Sequence, residues 1–184
     1  MKVIKTKFPG LFVIEPDVFG DDRGWFFESY NKEKFLKHGI TNNFVQDNFS
    51  YSKYGVVRGL HYQLEPYSQA KLVQVLKGKV LDVAVDLRKG SPTFGKVESV
   101  ILSEQNRKQF LIPKGFAHGF SVLSEDAVFN YKCDNTYNKD SEGGIHYMDD
   151  SLNIDWMIPK KDQIISSKDE LLPNIEQANF NFNF

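Results

Sequence analysis

Four histidines, one cysteine and a few charged residues set among apolar runs are the groups in this chain best suited to move protons or hold a ligand. His61 lies in Val56-Val57-Arg58-Gly59-Leu60-His61-Tyr62-Gln63, an extended stretch that also holds a cation and a glycine. Imidazole ordinarily titrates near pH 6.5, which suits proton abstraction at neutrality. Such a histidine is either a base or a hydrogen-bonded structural group, and the segment alone permits both. His118 lies in Ile112-Pro113-Lys114-Gly115-Phe116-Ala117-His118-Gly119-Phe120. Glycines there allow tight turns or close backbone approach. The segment reads as a ligand site, or as a sharp strand entry whose histidine satisfies backbone groups. His38 sits at the end of a short helical pattern beside Lys37 and reads as a surface residue. His146 follows Gly143-Gly144-Ile145 and reads as a loop residue. Cys133 reads as an interior, inert thiol, and a lone cysteine excludes an internal disulfide or a Cys-rich zinc site.

The elements that must position these groups are short β runs between turn signals. Strands are expected at Leu11–Glu15, Trp25–Tyr30, Phe44–Tyr51, Val56–Tyr62, Lys71–Leu76, Lys79–Leu87, Lys96–Leu102, Gln109–Ile112, Gly119–Leu123 and Ala127–Lys132. Turn residues such as Lys77-Gly78 and Pro113-Lys114-Gly115 separate them. This spacing predicts a mainly β antiparallel barrel or sandwich, and the lack of long helical periods argues against a parallel α/β fold. One helix is expected at Lys32–His38, capped by Asn31 and ended by Gly39. The segment from about 137 to 184 is more irregular, with short helices packed on the barrel. Its Asn-Phe tail is either ordered or frayed. Along Lys79–Leu87 one face carries Leu81, Val83, Val85 and Leu87, and the other Val80, Asp82, Ala84 and Asp86. That mixed face lines either a polar interior or the solvated outside.

Composition narrows the classes further. The chain has 184 residues with 16 Phe, 8 Tyr and 2 Trp, enough large side chains for a sizeable core, and its length suits one domain over residues 1–184. A net charge of −1 argues against a nucleic-acid binder, though not against a small anionic ligand. No apolar run approaches the roughly 20 residues of a membrane span, and the N-terminus lacks a signal-peptide pattern. The expectation is a soluble, cytoplasmic protein with neither nucleic acid nor membrane as partner.

Pro113, Gly115 and His118 match the P-x-G-x-x-H half of the cupin signature, the double-stranded β-helix jelly roll. The other half carries H-x-H and, a few residues on, a Glu; here stand His61-Tyr62-Gln63, with no Glu at the expected place beyond Glu65. Metals need three or four well-placed ligands, so this chain resembles a cupin without its metal. A narrower resemblance rests on blocks that follow in order over about residues 10–175. They are Phe44-Val45-Gln46-Asp47-Asn48, Arg58-Gly59-Leu60-His61-Tyr62-Gln63, Gln69-Ala70-Lys71-Leu72-Val73, Asp82-Val83-Ala84-Val85-Asp86-Leu87-Arg88, Ser91-Pro92-Thr93-Phe94-Gly95, the His118 segment, Asn130-Tyr131-Lys132 and Ser167-Lys168-Asp169. Together they resemble the dTDP-4-dehydrorhamnose 3,5-epimerase family.

That resemblance implies a cofactor-free isomerase acting on a 4-keto-6-deoxyhexose carried by thymidine diphosphate. The ketone acidifies the hydrogens on ring carbons 3 and 5, and no hydride moves. By resemblance His61 is the base, Asp169 its orienting partner, Lys71 the cation that steadies the enolate and Tyr131 the opposing acid. On the residues alone Tyr131 also reads as a core tyrosine beside Phe129. Arg23, Arg58 and Lys168 match diphosphate-binding positions. Gln46, Asp47 and Asn48 match the nucleotide end, where Phe19 or Phe26 offers an aromatic face. Glu28, Glu142 and His118 match further substrate contacts. In the family the segment around Arg23 and Glu28 reaches the neighbouring subunit, which implies a homodimer built with the N-terminal segment of about residues 1–50. Strict alternation places Arg58 and His61 on opposite faces, so a bulge at Gly59 is expected. A single-carbon epimerase of another 4-keto nucleotide sugar, a non-catalytic sugar-binding cupin and a metal-dependent cupin are the competing readings.

Overall fold

The computed structural model describes residues Met1–Phe184. Its strands are β1 (Lys2–Lys5), β2 (Phe12–Glu15), β3 (Val18–Asp21), β4 (Gly24–Phe27), β5 (Gln46–Lys53), β6 (Val57–Gln63), β7 (Lys71–Lys77), β8 (Lys79–Asp86), β9 (Val97–Ser103), β10 (Gln109–Ile112), β11 (Phe116–Val122), β12 (Asp126–Cys133) and β13 (Glu142–Gly144). Two short helices are α1 (Lys32–Lys37) and α2 (Ser167–Glu170). A six-stranded sheet in the order β1-β2-β10-β7-β12-β5 faces a five-stranded sheet in the order β13-β6-β11-β8-β9. The pairings are antiparallel. This is the mainly β, cupin-type jelly roll that the turn spacing and the resemblance imply.

Alternation decides what fills the space between the sheets. Val73, Val75, Phe110, Ile112 and Phe129 from one sheet meet Val80, Ala84, Phe116, Phe120 and Val122 from the other. Toward one end the interior face changes from apolar to polar, and the candidate site begins there. The outer face of the five-stranded sheet is also covered. Leu81, Val83 and Val85 of β8, with Leu87 just beyond its end, lie under Ile145, Leu152, Trp156 and Phe182 of the C-terminal segment. Both faces of β8 are therefore buried, and its mixed face points inward. Asp82 and Asp86 are each 0% exposed, which removes the solvated-outside reading. Asp86 is held by Arg88, Ser91 and Thr93, so its burial is fully compensated by hydrogen bonds.

Most expected strands are present within a few residues, and β10 has the expected bounds. The run Trp25–Tyr30 is shorter than expected and pairs only with β3, as a separate two-stranded hairpin. β11 begins at Phe116, so His118 lies inside a strand and not at its entry. α1 forms where expected. Asn31 accepts a hydrogen bond from the Lys34 N–H at 3.1 Å, and Gly39 takes a φ of +78°. The Asn-Phe tail is ordered: Phe182 is buried, stacks edge-on against Tyr62, and its carbonyl accepts from the Lys89 N–H.

Candidate active site

β6 must present two side chains that simple alternation would separate. Opposite the single residue Gly119 on β11, β6 carries two, Gly59 and Leu60, because the register runs from His118 opposite His61 to Phe120 opposite Arg58. This is the expected bulge. Gly59 takes a φ of +124°, and a Cβ on it would lie 2.6 Å from the Gly119 Cα, so only glycine fits without a shift. The extra residue turns Arg58 and His61 to the same side.

That side opens on a cavity of about 520 Å³ lined by Arg58, His61, Lys71, His118, Tyr131, Lys168 and Asp169, with Phe120 and Phe129 among its apolar walls. A recess of about 140 Å³ shares His61, Lys71 and Tyr131 and adds Gln46, Asn48, Tyr137 and Glu142. His61 comes from the five-stranded sheet, Tyr131 and Lys71 from the six-stranded one. The proposed base and acid thus stand on opposite walls, which inversion at carbon requires.

α2 brings in the partner of His61. Ser166 caps this one-turn helix by accepting from the Asp169 N–H at 3.2 Å. The Asp169 carboxylate then receives the Gly59 N–H at 3.2 Å and meets His61 Nε2 at 2.7 Å. Burial alone would raise the Asp169 pKa, but the His61 hydrogen bond and charge, with Gly59 and Ser166, hold it below the ordinary carboxylate range. An ionised carboxylate here makes Nε2 the N–H nitrogen of neutral His61 and leaves the lone pair on Nδ1. Tyr131 is pushed above the usual phenol range, chiefly by burial, so it keeps its proton at neutral pH. The Lys71 ammonium makes no hydrogen bond; burial pushes its pKa down, and the fields of Cys133 and then Asp82 oppose this. Arg58 donates from Nε to Ser52 Oγ at 3.1 Å, which fixes its guanidinium at the cavity edge. Lys168 and Glu142 pair at 2.5 Å near the rim.

The remaining sequence-derived candidates divide clearly. Gln46 and Asn48 line the recess and bond to each other at 3.2 Å. Asp47, between them, is turned by alternation to the opposite face, where it bonds Lys132 and Asn130; its side chain does not line the cavity. Arg23, Phe26 and Phe19 belong to the β3–β4 hairpin, with its own surface hollow, and Glu28 follows it. None of the four lines the His61 cavity of this chain. Arg23 pairs with Asp21, and Glu28 with Lys34. Cys133 is buried, with its thiol pushed up to about 11, chiefly by burial. Two contributors escaped the sequence reading, Tyr137 and the Ser166 cap, while Asp82 was legible only as part of the mixed face of β8. The Ser-x-x-Asp pattern of Ser166–Asp169 is a helix-start signal that points to the cap. No three His, Cys, Asp or Glu side chains converge as a metal-ligating group.

Comparison with known proteins identifies the family. The family model described as dTDP-4-dehydrorhamnose 3,5-epimerase matches residues 5–177. A relative of that name from Shigella flexneri is 55% identical over 170 residues, 92% of this chain and 93% of its own length. A crystal structure of the enzyme so named from Elizabethkingia anophelis superposes with a TM-score of 0.92 at 55% identity, covering 96% of this chain and 97% of that one. A dTDP-6-deoxy-D-glucose-3,5-epimerase from Legionella pneumophila, solved in complex with dTDP-4-keto-L-rhamnose, also gives 0.92, at 51% identity over 96% of this chain and 93% of its own. This chain belongs to the dTDP-4-dehydrorhamnose 3,5-epimerase family.

Proposed function

We propose that this protein epimerises dTDP-4-dehydro-6-deoxy-D-glucose at carbons 3 and 5, giving dTDP-4-dehydro-L-rhamnose for dTDP-L-rhamnose synthesis. The observation that carries the reading is one cavity with a His–Asp dyad on one wall and a protonated tyrosine beside a lysine on the other. His61 Nδ1 removes the proton next to the ketone, and Asp169 balances the imidazolium that forms. Lys71 steadies the enolate oxygen in a site partly closed to water. Tyr131 returns a proton from the opposite face, and repetition at the second carbon completes the change. Each half-reaction conserves electrons, so the reading calls for no redox cofactor and, with Gln63 where a cupin ligand histidine stands, for no metal. A binding module has no use for an acid and a base on facing walls, which favours the enzyme over a sugar-binding cupin.

Arg58 and Lys168 are placed for the diphosphate, while Gln46, Asn48, His118 and Glu142 contact the remaining substrate. Arg23, Glu28 and an aromatic of the hairpin act in the cavity of a second subunit. Phe19, Trp25 and Phe26 of that hairpin are 58–67% exposed, an apolar cluster that a homodimer would cover. The expected location is the cytoplasm, and no helix is long and apolar enough to cross a membrane.

Proton NMR in heavy water with the 4-keto substrate is the decisive experiment. Deuterium should enter at carbons 3 and 5, with or without a chelator. Exchange at one carbon only would make the protein a single epimerase, and none at either would leave a binder. Light scattering should give twice the 21.2 kDa of one chain; a fully active monomer would overturn the shared site.

A further inference from the structure

A row of side-chain amides crosses the outer face of the six-stranded sheet, away from the cavity. Gln109 of β10, Gln74 of β7 and Asn130 of β12 stand opposite one another in register, and none is more than 8% exposed. Asn130 Nδ2 donates to Asp47 Oδ1 at 2.8 Å and to the Asn48 carbonyl at 3.1 Å. Gln74 Nε2 donates to Asn130 Oδ1 at 2.8 Å. Gln109 Nε2 donates to Gln74 Oε1 at 3.1 Å and to the Ser29 carbonyl at 2.7 Å. Partial burial would raise the Asp47 pKa, but hydrogen bonds from Lys132, at 2.6 Å, and from Asn130 hold it below the ordinary carboxylate range. Both ends of the row, a carboxylate and a carbonyl, therefore only accept hydrogen bonds. One orientation of the three amides satisfies every link, and turning any one of them over sets like atoms face to face.

The row joins two elements that the sheets hold least. β5 is an edge strand, paired on one side only, and its inward side chains Gln46 and Asn48 line the recess. The β3–β4 hairpin pairs with neither large sheet, and Ser29 follows Glu28 at its root. The fold alone does not call for polar groups here. Beside the row the same face is apolar, where Ile14, Leu72 and Leu111 pack against Phe35 and Ile40. A buried polar row gains over such packing only when every member is paired, and it then specifies a single arrangement. We propose that Asp47, Asn130, Gln74 and Gln109 act as one positioning ladder, which fixes β5 and the hairpin root in place so that preset groups meet the nucleotide end of the substrate. None of the four side chains lines the cavity or its recess, so they act through Asn48 and Glu28. The purpose of the ladder rests on the epimerase reading; its connectedness does not.

A double-mutant cycle on thermal stability tests the connection without substrate, using Asp47→Ala, Gln109→Met and both together in the full-length protein. Strands lie about 4.8 Å apart, so these two side chains, three spacings from each other, are about 14 Å apart. Unconnected sites at that distance give additive shifts. In a connected ladder the shift caused by Asp47→Ala should be about a third smaller, or less still, in the Gln109→Met background. Additive shifts overturn the proposal. If Gln109→Met does not fold, Gln74→Met takes its place; failure of both would make the row a requirement of the fold with no separate positioning role, and also overturns it. The second arm is the kinetics of deuterium exchange with the 4-keto substrate in Gln74→Met, which cuts the ladder at its middle and touches no ligand. KM should rise about threefold or more while the rate at saturation stays within about twofold, since the binding groups shift and the reacting ones do not. An unchanged KM in a folded Gln74→Met, or a rate that falls as much as KM rises, overturns the positioning role. If wild type shows no exchange, the epimerase reading fails while the stability cycle still decides the ladder.

Discussion

The two histidine–carboxylate pairs of this molecule, His61–Asp169 and His118–Asp82, have the same chemical groups at similar distances, yet their surroundings differ. The His61 side chain is 40% exposed and Asp169 is 5%, so the dyad offers the cavity a reachable ring backed by a sheltered charge. The His118 side chain is 8% exposed and Asp82 is 0%, so that pair is nearly buried and only His118 of the two lines the cavity. Asp169 gains the Gly59 N–H and a capped helix turn, and its pKa falls; Asp82 has neither, and its pKa rises. Desolvation acts on both carboxylates. What differs is the number of hydrogen-bond donors that oppose it, and that number moves the two carboxylates in opposite directions.

The largest break in this comparison comes from the exposed pair. His61→Asn should leave the fold intact, because a half-exposed ring at a cavity wall carries little packing, and should cut deuterium entry at both carbons by about 10²–10⁴-fold. Near-normal exchange in a folded variant would transfer the base role elsewhere.

Tyr131→Phe should come next. Removing a proton from one face and returning it to the same face restores the starting sugar, so inversion needs the donor on the opposite wall. His61 can still exchange protons with solvent in this variant. Net inversion should therefore fall by about tenfold or more while deuterium entry falls less, read on one sample by NMR. Equal losses would make Tyr131 a binding or packing residue.

How far the sequence could go is clear from particular residues. Strand alternation and turn residues located most of the jelly roll, and Asn31 with Gly39 bounded α1 through ordinary cap chemistry. β13 escaped, because Glu142-Gly143-Gly144 has no strand propensity of its own and is extended only through pairing with β6. β1 and β3 are four-residue strands, too short for alternation to mark them. The face of β8 that carries Asp82 was legible, but its direction was not. That depended on the irregular C-terminal segment lying over the other face. Alternation also placed Asp47 outward, although the motif that contains it pointed to the site. The His61–Asp169 contact joins residues 108 positions apart; the family blocks suggested it, and no local pattern encodes it.

The opposite pKa directions of the two carboxylates give a smaller, signed effect on stability. Asp169 is depressed, so its contribution is present above the ordinary carboxylate pKa and is lost as pH falls through the lowered value. Asp82 is raised, so between the ordinary and the raised value the unfolded chain has already ionised and stability falls as pH rises. Thermal unfolding measured from acid to neutral pH should show Asp169→Asn losing the acid-side dependence and Asp82→Asn losing the opposing slope. Parallel curves for the two variants would contradict the contrast between their surroundings.

The smallest effect belongs to the Lys168–Glu142 pair at the rim. Its side chains are 60% and 33% exposed, so solvent screens it, and a surface pair of this kind adds only about 0–1 kcal/mol to stability. Unfolding should therefore barely register Glu142→Gln. Ligand binding should register it differently. In the ligand-free chain the Lys168 ammonium is occupied by Glu142, which raises its pKa, and a diphosphate must share or replace that carboxylate. Lys168→Met should weaken dTDP binding several-fold, and most at low ionic strength, where the lost charge is least screened. Glu142→Gln should leave dTDP affinity equal or slightly better, because a competing anion is gone, while weakening retention of the full sugar nucleotide if Glu142 contacts it as proposed. Calorimetry with dTDP at two salt concentrations separates these outcomes. Equal, salt-independent losses from both substitutions would mean that the ion pair acts as one structural clasp over the rim, and that Lys168 does not meet the diphosphate.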